Sequence, residues 1–199
     1  MPKLLIATNN RGKAREYKSL LSGIPFELVT PDELGIDADV EETGTTFEAN
    51  ATLKATALAA ASHLLTLADD SGLEVDALGG EPGTLSARYA GENASDGDRV
   101  NYLLAKMQGV PEGKRQARFR CVIAIATPEG KVELCSGQCD GIITFAPRGD
   151  KGFGYDPIFY LPELGKTMAE LPLEVKNKLS HRGRAAAKAW EVLKKLAQR

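Results

Sequence analysis

Two adjacent carboxylates, Asp69 and Asp70, follow the apolar run 64–68 and are the side chains best suited to chemistry. Like charges this close repel each other, so a cation is expected to balance them. Mg²⁺ is the natural candidate, because it binds hard oxygen ligands, usually one or two carboxylates completed by water and substrate phosphates. Glu41 and Asp70 would suffice. The alternative is that Asp69 or Asp70 caps the following turn and that Glu41 and Glu42 lie in a solvated loop.

A second set of polar residues lies between the first apolar run and the helical segment that follows it. The set consists of Thr8, Asn9, Asn10, Arg11, Gly12 and Lys13. A helix N-terminus presents unpaired backbone N–H groups and a partial positive charge, which favour an anion such as phosphate. The spacing does not match a P-loop, which needs a longer glycine-rich loop before its lysine. The alternative is that Thr8 and Asn10 only cap the helix and that Lys13 is a solvated surface residue.

Two segments near the end of the chain complete the set of candidate residues. The glycine-flanked aromatic stretch Phe153, Gly154, Tyr155 and Asp156 is suited to stacking against a base, and its alternative is a buried aromatic turn. Ser180, His181 and Arg182 open the last helix shortly after Lys176, and form a cluster rich in hydrogen-bond donors or an ordinary helix start. Taken together, the four groups indicate a nucleotide site.

The elements that must position these residues alternate between strands and helices. Strands are predicted at 3–7, 26–29, 64–68, 118–126 and 132–145, and helices at 11–21, 46–63, 98–107 and 186–196. A capping box at Thr45 to Glu48 opens the long alanine-rich helix, and Thr127 to Gly130 form a hairpin turn. The stretch 31–42 is predicted to be an acidic, turn-rich link, and the stretch 149–165 reads mostly as loop. We therefore expect a single α/β domain over residues 1–199, with a mixed β-sheet, helices packed around it and two lobes flanking a central active-site cleft.

The composition of the chain bounds its partners and location. With 199 residues, of which 43% are hydrophobic, it can bury one good core or two small lobes. A net charge of -2 gives no electrostatic reason to bind nucleic acid or an anionic membrane. No stretch approaches a membrane span or a signal-peptide core, so a cytoplasmic location is expected. Cys121, Cys135 and Cys139 lack metal-site spacing and are interpreted as buried thiols.

The motifs together resemble the inosine triphosphate pyrophosphatase family, whose members hydrolyse deaminated purine nucleoside triphosphates. The similarity extends over essentially the whole chain, in family order: 8–13 (TNNRGK), 41–44 (EETG), 69–73 (DDSGL), 86–89 (SARY), 152–157 (GFGYDP) and 180–183 (SHRG). The resemblance implies hydrolysis of ITP, dITP and XTP to the monophosphate and pyrophosphate, which cleanses the nucleotide pool. It also implies Mg²⁺ as cofactor, a homodimer and a mixed sheet split into two lobes.

The resemblance also implies a role for each matching residue. Asp70 would be the proton acceptor and, with Glu41, would bind Mg²⁺, while Ser71 would lie against the substrate. The triphosphate would be held by Thr8, Asn9, Asn10, Arg11, Gly12 and Lys13. The base would stack on Phe153 beside Gly154, Tyr155 and Asp156, with Lys176, His181 and Arg182 facing the purine edge.

Three other functions remain compatible with these residues. A non-catalytic nucleotide sensor would bind without turnover, although the Asp69–Asp70 pair argues against it. A nucleic-acid binding protein would use the aromatic and donor segments on flipped bases, although the acidic balance argues against it. A related pyrophosphatase would prefer modified pyrimidines or ordinary triphosphates.

Overall fold

A computed structural model of the protein describes residues 1–37 and 39–198. The strands are β1 (Lys3–Ile6), β2 (Glu27–Val29), β3 (Leu65–Val75), β4 (Gln116–Ala126), β5 (Val132–Ile143), β6 (Phe159–Leu161) and β7 (Lys166–Thr167). The α-helices are α1 (Arg11–Leu20), α2 (Pro31–Leu34), α3 (Phe47–Ser62), α4 (Asp96–Lys106), α5 (Leu173–Leu179) and α6 (His181–Leu196).

The strands form one seven-stranded mixed sheet in the order β2-β1-β3-β4-β5-β6-β7. β1 runs parallel to β2 and to β3, with Leu5 opposite Val29 and Thr66. β6 runs antiparallel to both β5 and β7. Parallel neighbours need a crossover connection, which α1 supplies between β1 and β2. The mixed α/β fold expected from the sequence is confirmed.

The chain divides into two compact units, each with its own core. The first comprises Met1–Asp70, Cys121–Gly137 and Arg182–Arg199, and the second comprises Ser71–Arg120 and Gln138–His181. In the first unit, Leu4, Ile6 and Leu67 pack with residues of α1 and α6. The alternate positions Leu5, Ala7 and Ala68 pack with α3. Successive strand residues face opposite sides of a sheet, so this unit has a helical layer on each side.

The core of the second unit is built from its strands and the helix α4. Leu73 and Val75 of β3 pack with Val100 and Leu103 of α4, and with Phe159 of β6. β3 therefore contributes residues to the cores of both units. The cleft predicted from the sequence stays a prediction.

Several details of the sequence-based prediction are wrong. β3 does not end at the acidic pair but continues through it to Val75. The predicted capping box is displaced, because Thr46 rather than Thr45 caps α3, accepting a hydrogen bond from the Ala49 amide at 3.1 Å. The acidic link 31–42 contains the short helix α2, and α5 was not predicted. Both are short helices with little room for an apolar repeat.

The remaining expectations are met or lie outside the described residues. The hairpin turn closes as expected, with the Thr127 amide donating to the Lys131 carbonyl and the Gly130 amide donating to the Thr127 carbonyl. Cys121, Cys135 and Cys139 are buried thiols. Across residues 1–37 and 39–198, no helix is long and apolar enough to span a membrane. Ala38, inside the predicted acidic link, lies outside the described residues.

Candidate active site

Asp69 and Asp70 lie in the interior of β3, and they have different surroundings. Asp69 contacts residues of α1 and α6, whereas Asp70 contacts α3. Strand alternation explains the split, because neighbouring residues point to opposite faces of the sheet. The strand continues through two carboxylates because each finds polar partners on its own face. The two acids are therefore separate functional groups.

Asp69 is the centre of a buried cluster of charges in the first unit. Its Oδ2 lies 3.0 Å from Lys13 Nζ and 3.6 Å from a terminal guanidinium nitrogen of Arg182. Arg182 also donates a 2.7 Å hydrogen bond to Glu16 Oε2. Burial acts to raise the pKa of Asp69, but Lys13, Arg182 and Lys54 outweigh it and hold the pKa well below its usual range. Asp69 therefore stays ionised and orients Lys13.

Tyr17 and Cys121 line the same cluster without carrying charge. The Tyr17 hydroxyl lies 3.7 Å from Cys121 Sγ, which is 3.8 Å from Asp69 Oδ2. Burial, reinforced by Asp69, raises the pKa of Cys121 to about 12. The thiol therefore remains protonated and can donate a weak hydrogen bond to the carboxylate.

Asp70 faces a different set of groups. Asn50 Nδ2 donates a 3.0 Å hydrogen bond to Asp70 Oδ2, and Asn50 Oδ1 accepts one of 2.8 Å from the Gly44 amide. Asn50 therefore ties Asp70 to the loop that carries Glu41 and Glu42. Burial, followed by the negative charge of Glu42, raises the pKa of Asp70 to about 6. Asp70 therefore ionises less readily than an exposed aspartate.

The two predicted glutamates differ in environment. Glu42 is half-buried and forms an ion pair with Lys54, whose Nζ also donates to the Asp69 carbonyl at 3.1 Å. The Glu41 side chain is exposed. Of the two, Glu42 is thus the carboxylate that acts electrostatically on Asp70, and metal binding by Glu41 stays a prediction.

The donor set around Asp70 fits a magnesium ion shared with a substrate. No group of three or more His, Cys, Asp or Glu side chains among residues 1–37 and 39–198 is arranged to hold a metal. Mg²⁺ does not require one, because water and substrate phosphates usually complete its shell. A divalent cation would also relieve the repulsion between Asp70 and Glu42. The residues present therefore fit the ion.

The segment 8–13 forms the predicted corner between β1 and α1. Asn10 is the N-cap of α1, and its Oδ1 accepts a 3.0 Å hydrogen bond from the Lys13 amide. Thr8 Oγ1 accepts a 3.1 Å hydrogen bond from the Asn10 amide. Asn10 therefore caps the helix and Thr8 accepts from the amide of the cap residue, whereas Lys13 pairs with Asp69 and is not simply solvated. Triphosphate binding by these residues stays a prediction. A pocket of about 330 Å³ opens here, lined by Thr8, Asn9, Asn10, Arg11, Ala14, Arg15, Lys18, Thr30 and Asp32.

The aromatic segment lies in the second unit as a turn with internal hydrogen bonds. Asp156 is buried, and its Oδ2 accepts hydrogen bonds from the Phe153 amide at 3.0 Å and from Lys176 Nζ at 2.6 Å. Gly152 adopts a φ of +73°, and a Cβ there would lie 2.0 Å from Asp156 Oδ2, so this position requires glycine. Lys176 Nζ lies 4.7 Å from the centre of the half-buried Phe153 ring.

The other predicted base-contacting residues fall into two groups. Tyr155 is buried, and its hydroxyl donates to the Ser86 carbonyl at 2.7 Å. The His181 ring stacks on Phe119 with centres 4.6 Å apart. Phe153, Gly154, Tyr155, Asp156, Lys176 and His181 all belong to the second unit, as does the half-buried Ser71 of β3. Arg182 instead joins the Asp69 cluster in the first unit, and its predicted contact with a purine stays a prediction.

Sequence reasoning missed the residues that hold the predicted ones in place. Asn50, Glu16 and Lys54 belong to none of the motifs identified in the sequence. A buried Asn in an alanine-rich helix was a usable signal, because buried polar groups are normally hydrogen-bonded. Glu16 follows Lys13 by three positions, which resembles an ordinary pair on a helix surface, so no local signal identified it.

Comparison with known proteins places this geometry in a family context. The sequence matches the model of the Ham1 family over residues 4–192. It is 52% identical to the dITP/XTP pyrophosphatase of Geobacter sulfurreducens over 187 residues, which cover 94% of each chain. It is 50% identical to the dITP/XTP pyrophosphatase of Desulforamulus reducens over 194 residues, which cover 98% of this chain and 96% of the other.

Solved structures agree with the sequence comparison. The Ham1 protein of Coxiella burnetii superposes with a TM-score of 0.89 at 40% identity, covering 98% of this chain and 100% of the other. The Ham1 protein of Staphylococcus aureus gives a TM-score of 0.86 at 45% identity, covering 98% and 99% of the two chains. The similarity is thus near full length in both sequence and fold.

Proposed function

Since the chain belongs to the Ham1 family, we propose that it is a nucleoside triphosphate pyrophosphatase that hydrolyses deaminated purine nucleotides, dITP and XTP and also ITP. The products are the nucleoside monophosphate and pyrophosphate, so the enzyme removes damaged nucleotides before they enter DNA or RNA. The observation that supports the proposal is that Asp69 and Asp70 have separate partners on the two faces of β3. Asp69 pairs with Lys13, the lysine of the proposed phosphate site, and Asp70 is the proposed proton acceptor.

The triphosphate is bound by the corner 8–13 in the first unit. Lys13 supplies a positive charge, and its ion pair with Asp69 fixes the direction of the ammonium group. The N-terminus of α1 adds backbone donors and the favourable end of the helix dipole. Arg11, which lines the adjoining pocket, adds a second positive charge for the outer phosphates.

Asp70 is the proton acceptor for a water molecule that attacks the α-phosphorus. The new bond joins the water oxygen to that phosphorus, the bond to the bridging oxygen breaks, and pyrophosphate leaves. Asn50 holds Asp70 Oδ2, which fixes the orientation of the carboxylate. Asp70 and Glu41 would hold Mg²⁺, which when bound neutralises phosphate charge and activates water. A positioned base of this kind contributes typically 10² to 10⁴-fold to the rate.

The base is bound by the segment 153–156 in the second unit. Phe153 offers a half-buried ring for stacking, and the hydrogen bonds of Asp156 hold that ring in place. Lys176 and His181 supply donors that suit the 6-oxo group of hypoxanthine and xanthine. Adenine presents a donor at that position, so it would leave a buried donor facing a donor.

The decisive experiment is a panel of triphosphates with product identification in water enriched in oxygen-18. The panel contains dITP, XTP, ITP, ATP, GTP and a modified pyrimidine triphosphate. We expect pyrophosphate from the first three and the label in the monophosphate. Label in released orthophosphate would reverse the assigned geometry, and faster hydrolysis of the pyrimidine would refute the substrate class. Protein carrying Asp70→Asn, prepared in parallel, detects contaminating activity.

The assembly and location of the enzyme are part of the same proposal. A homodimer, a cytoplasmic location and independence from nucleic acid follow from the family resemblance and from the net charge of -2. Binding of dITP without turnover would instead favour a sensor, and salt-sensitive binding to polymers would favour a nucleic-acid binding protein.

A further inference from the structure

The Phe153 loop is connected to a helix far away in the sequence. The Gly154 amide donates a 2.8 Å hydrogen bond to Asp96 Oδ2, across 58 residues of chain. Asp96 is the first residue of α4, and both residues belong to the second unit. A carboxylate that accepts from a backbone amide forms a charge-assisted hydrogen bond, which is shorter and stronger than a neutral one.

The Asp96 carboxylate is itself held in place. Its Oδ1 forms an ion pair with Arg99, one helical turn further along α4. Arg99 also donates to the carbonyls of Ala94 at 2.7 Å and Ala87 at 2.9 Å. The Arg99 guanidinium is thus bound by three groups and holds Asp96 Oδ1, while Asp96 Oδ2 accepts from the Gly154 amide. The cap of α4 is a separate device, because Ser95 exchanges hydrogen bonds with Asp98.

The loop has fixed points on both sides of Gly154. On one side the Phe153 amide is bound by Asp156, and on the other the Tyr155 hydroxyl is bound by the Ser86 carbonyl. Gly154 has a φ of +62°, a left-handed conformation that glycine adopts readily. The Asp96 contact binds the Gly154 amide, directly after Phe153 in the chain.

We propose that Asp96, fixed by Arg99, is a positioning residue for base recognition, and that it holds Gly154 so that Phe153 presents its ring to the purine. The proposal rests on the function proposed above. Asp96 touches the backbone of the recognition loop and not the reacting groups. Its loss should therefore weaken binding of the base while leaving phosphate binding and chemistry nearly intact.

The test compares three substitutions at Asp96 with one matched control. Asp96→Ala removes the acceptor, Asp96→Asn keeps an acceptor oxygen, and Asp96→Glu keeps the charge but displaces the acceptor. Asp98→Ala removes a carboxylate from the same helical turn without touching the loop. Each protein is assayed for kcat and KM with dITP. Affinities for dITP and for inorganic tripolyphosphate, which has no base, are measured by calorimetry.

We expect Asp96→Ala to raise KM and Kd for dITP by about tenfold or more, with kcat within about threefold of wild type. Tripolyphosphate affinity should stay unchanged. Asp96→Asn should recover most of the dITP affinity, and Asp98→Ala should match wild type. If Asp96→Ala does not fold, Asp96→Glu tests the proposal in its place. Glutamate keeps the charge that pairs with Arg99 but displaces the acceptor from Gly154, so dITP binding should weaken several-fold.

Two results would overturn the proposal separately from the function. Equal dITP affinity in Asp96→Ala and Asp98→Ala would remove Asp96 from base recognition. An equal loss of tripolyphosphate affinity in Asp96→Ala would indicate a general structural role. A wild-type chain that neither binds nor hydrolyses dITP would instead refute the proposed function, and the Asp96 proposal with it.

Discussion

Asn50 and Asp70 lie 20 residues apart and are joined by a buried hydrogen bond of 3.0 Å from Asn50 Nδ2 to Asp70 Oδ2. Oδ1 of the Asn50 side chain accepts a 2.8 Å hydrogen bond from the backbone amide of Gly44. One side chain therefore satisfies both the acid of β3 and the backbone of the loop that carries the two glutamates. This arrangement connects Asp70 to the loop of its neighbouring carboxylates.

Asn50→Ala should both destabilise the protein and slow turnover. It leaves the buried Asp70 carboxylate and the half-buried Gly44 amide without this partner, and an unsatisfied buried group costs about 1 to 3 kcal/mol. We expect a fall of this order in the free energy of unfolding, measured in urea, and at least a tenfold lower kcat for dITP. Asn101→Ala, at an exposed position of α4, is the control. Wild-type kcat in Asn50→Ala would show that Asp70 needs no such orientation.

Gly44→Ala should displace the loop that carries Glu41 and Glu42. A Cβ at Gly44 would lie 2.6 Å from Asn50 Oδ1 and 2.8 Å from Ala49 Cβ, so the backbone must move. We expect reduced thermal stability and a higher Mg²⁺ concentration for half-maximal activity. Gly97→Ala is the matched control, because its Cβ would lie at an ordinary 3.7 Å from Ser95 Oγ. That substitution should be neutral or stabilise by about 0.4 to 1 kcal/mol. Identical behaviour of the two variants would contradict the prediction.

Asp70→Asn should nearly abolish turnover but stabilise the metal-free fold above pH 6. The pKa of Asp70 is about 6 in the fold against an ordinary value of 3.8, so Asp70 in the unfolded chain ionises first as the pH rises. The contribution of Asp70 to the free energy of unfolding is therefore fully present below pH 3.8 and is lost as the pH rises through 6. The pKa shift corresponds to a loss of about 2 to 3 kcal/mol in the free energy of unfolding. Asparagine does not ionise, so the Asp70→Asn variant does not incur this loss.

The check is thermal unfolding in a chelator at pH 4.5 and pH 8, together with nucleotide binding at pH 8. The variant should gain more in Tm over wild type at pH 8 than at pH 4.5, and it should still bind dITP measurably. A lower Tm at pH 8, or turnover near the wild-type rate at saturating Mg²⁺, would contradict the assignment.

Arg182→Ala should destabilise the protein strongly, because Arg182 is buried and pairs with Glu16 and Asp69. Breaking a buried ion pair on one side costs about 3 to 5 kcal/mol, since the other charge stays buried. Arg184→Ala, at an exposed position of the same helix, should change the free energy of unfolding by less than about 0.5 kcal/mol. Combining Arg182→Met with Glu16→Gln should recover part of the loss relative to Arg182→Met alone. A stable Arg182→Ala with altered base selectivity would instead support a direct purine contact.

The sequence alone determined the family, the mixed α/β class and most of the elements. Motifs such as 8–13 and 152–157 consist of neighbouring residues of fixed type, so they can be recognised without knowing which distant residues they contact. The alternation of apolar runs placed β1, α1, β4, β5 and the last helix close to their observed bounds. Glycine at 152 was readable for the same reason, although the Asp156 carboxylate that requires it was not.

Only the tertiary structure decided which groups surround each candidate residue. The sequence presents the adjacent acids of β3 as a pair that a cation would balance, but the pleat of the strand directs Asp69 to Lys13 and Asp70 to Asn50. Arg182 is expected from the resemblance to face the purine edge beside His181, and only the structure shows that it pairs with Glu16, 166 residues away in the chain. A motif records residue types at short spacing, whereas charge pairing and burial depend on contacts that form only when distant segments pack together.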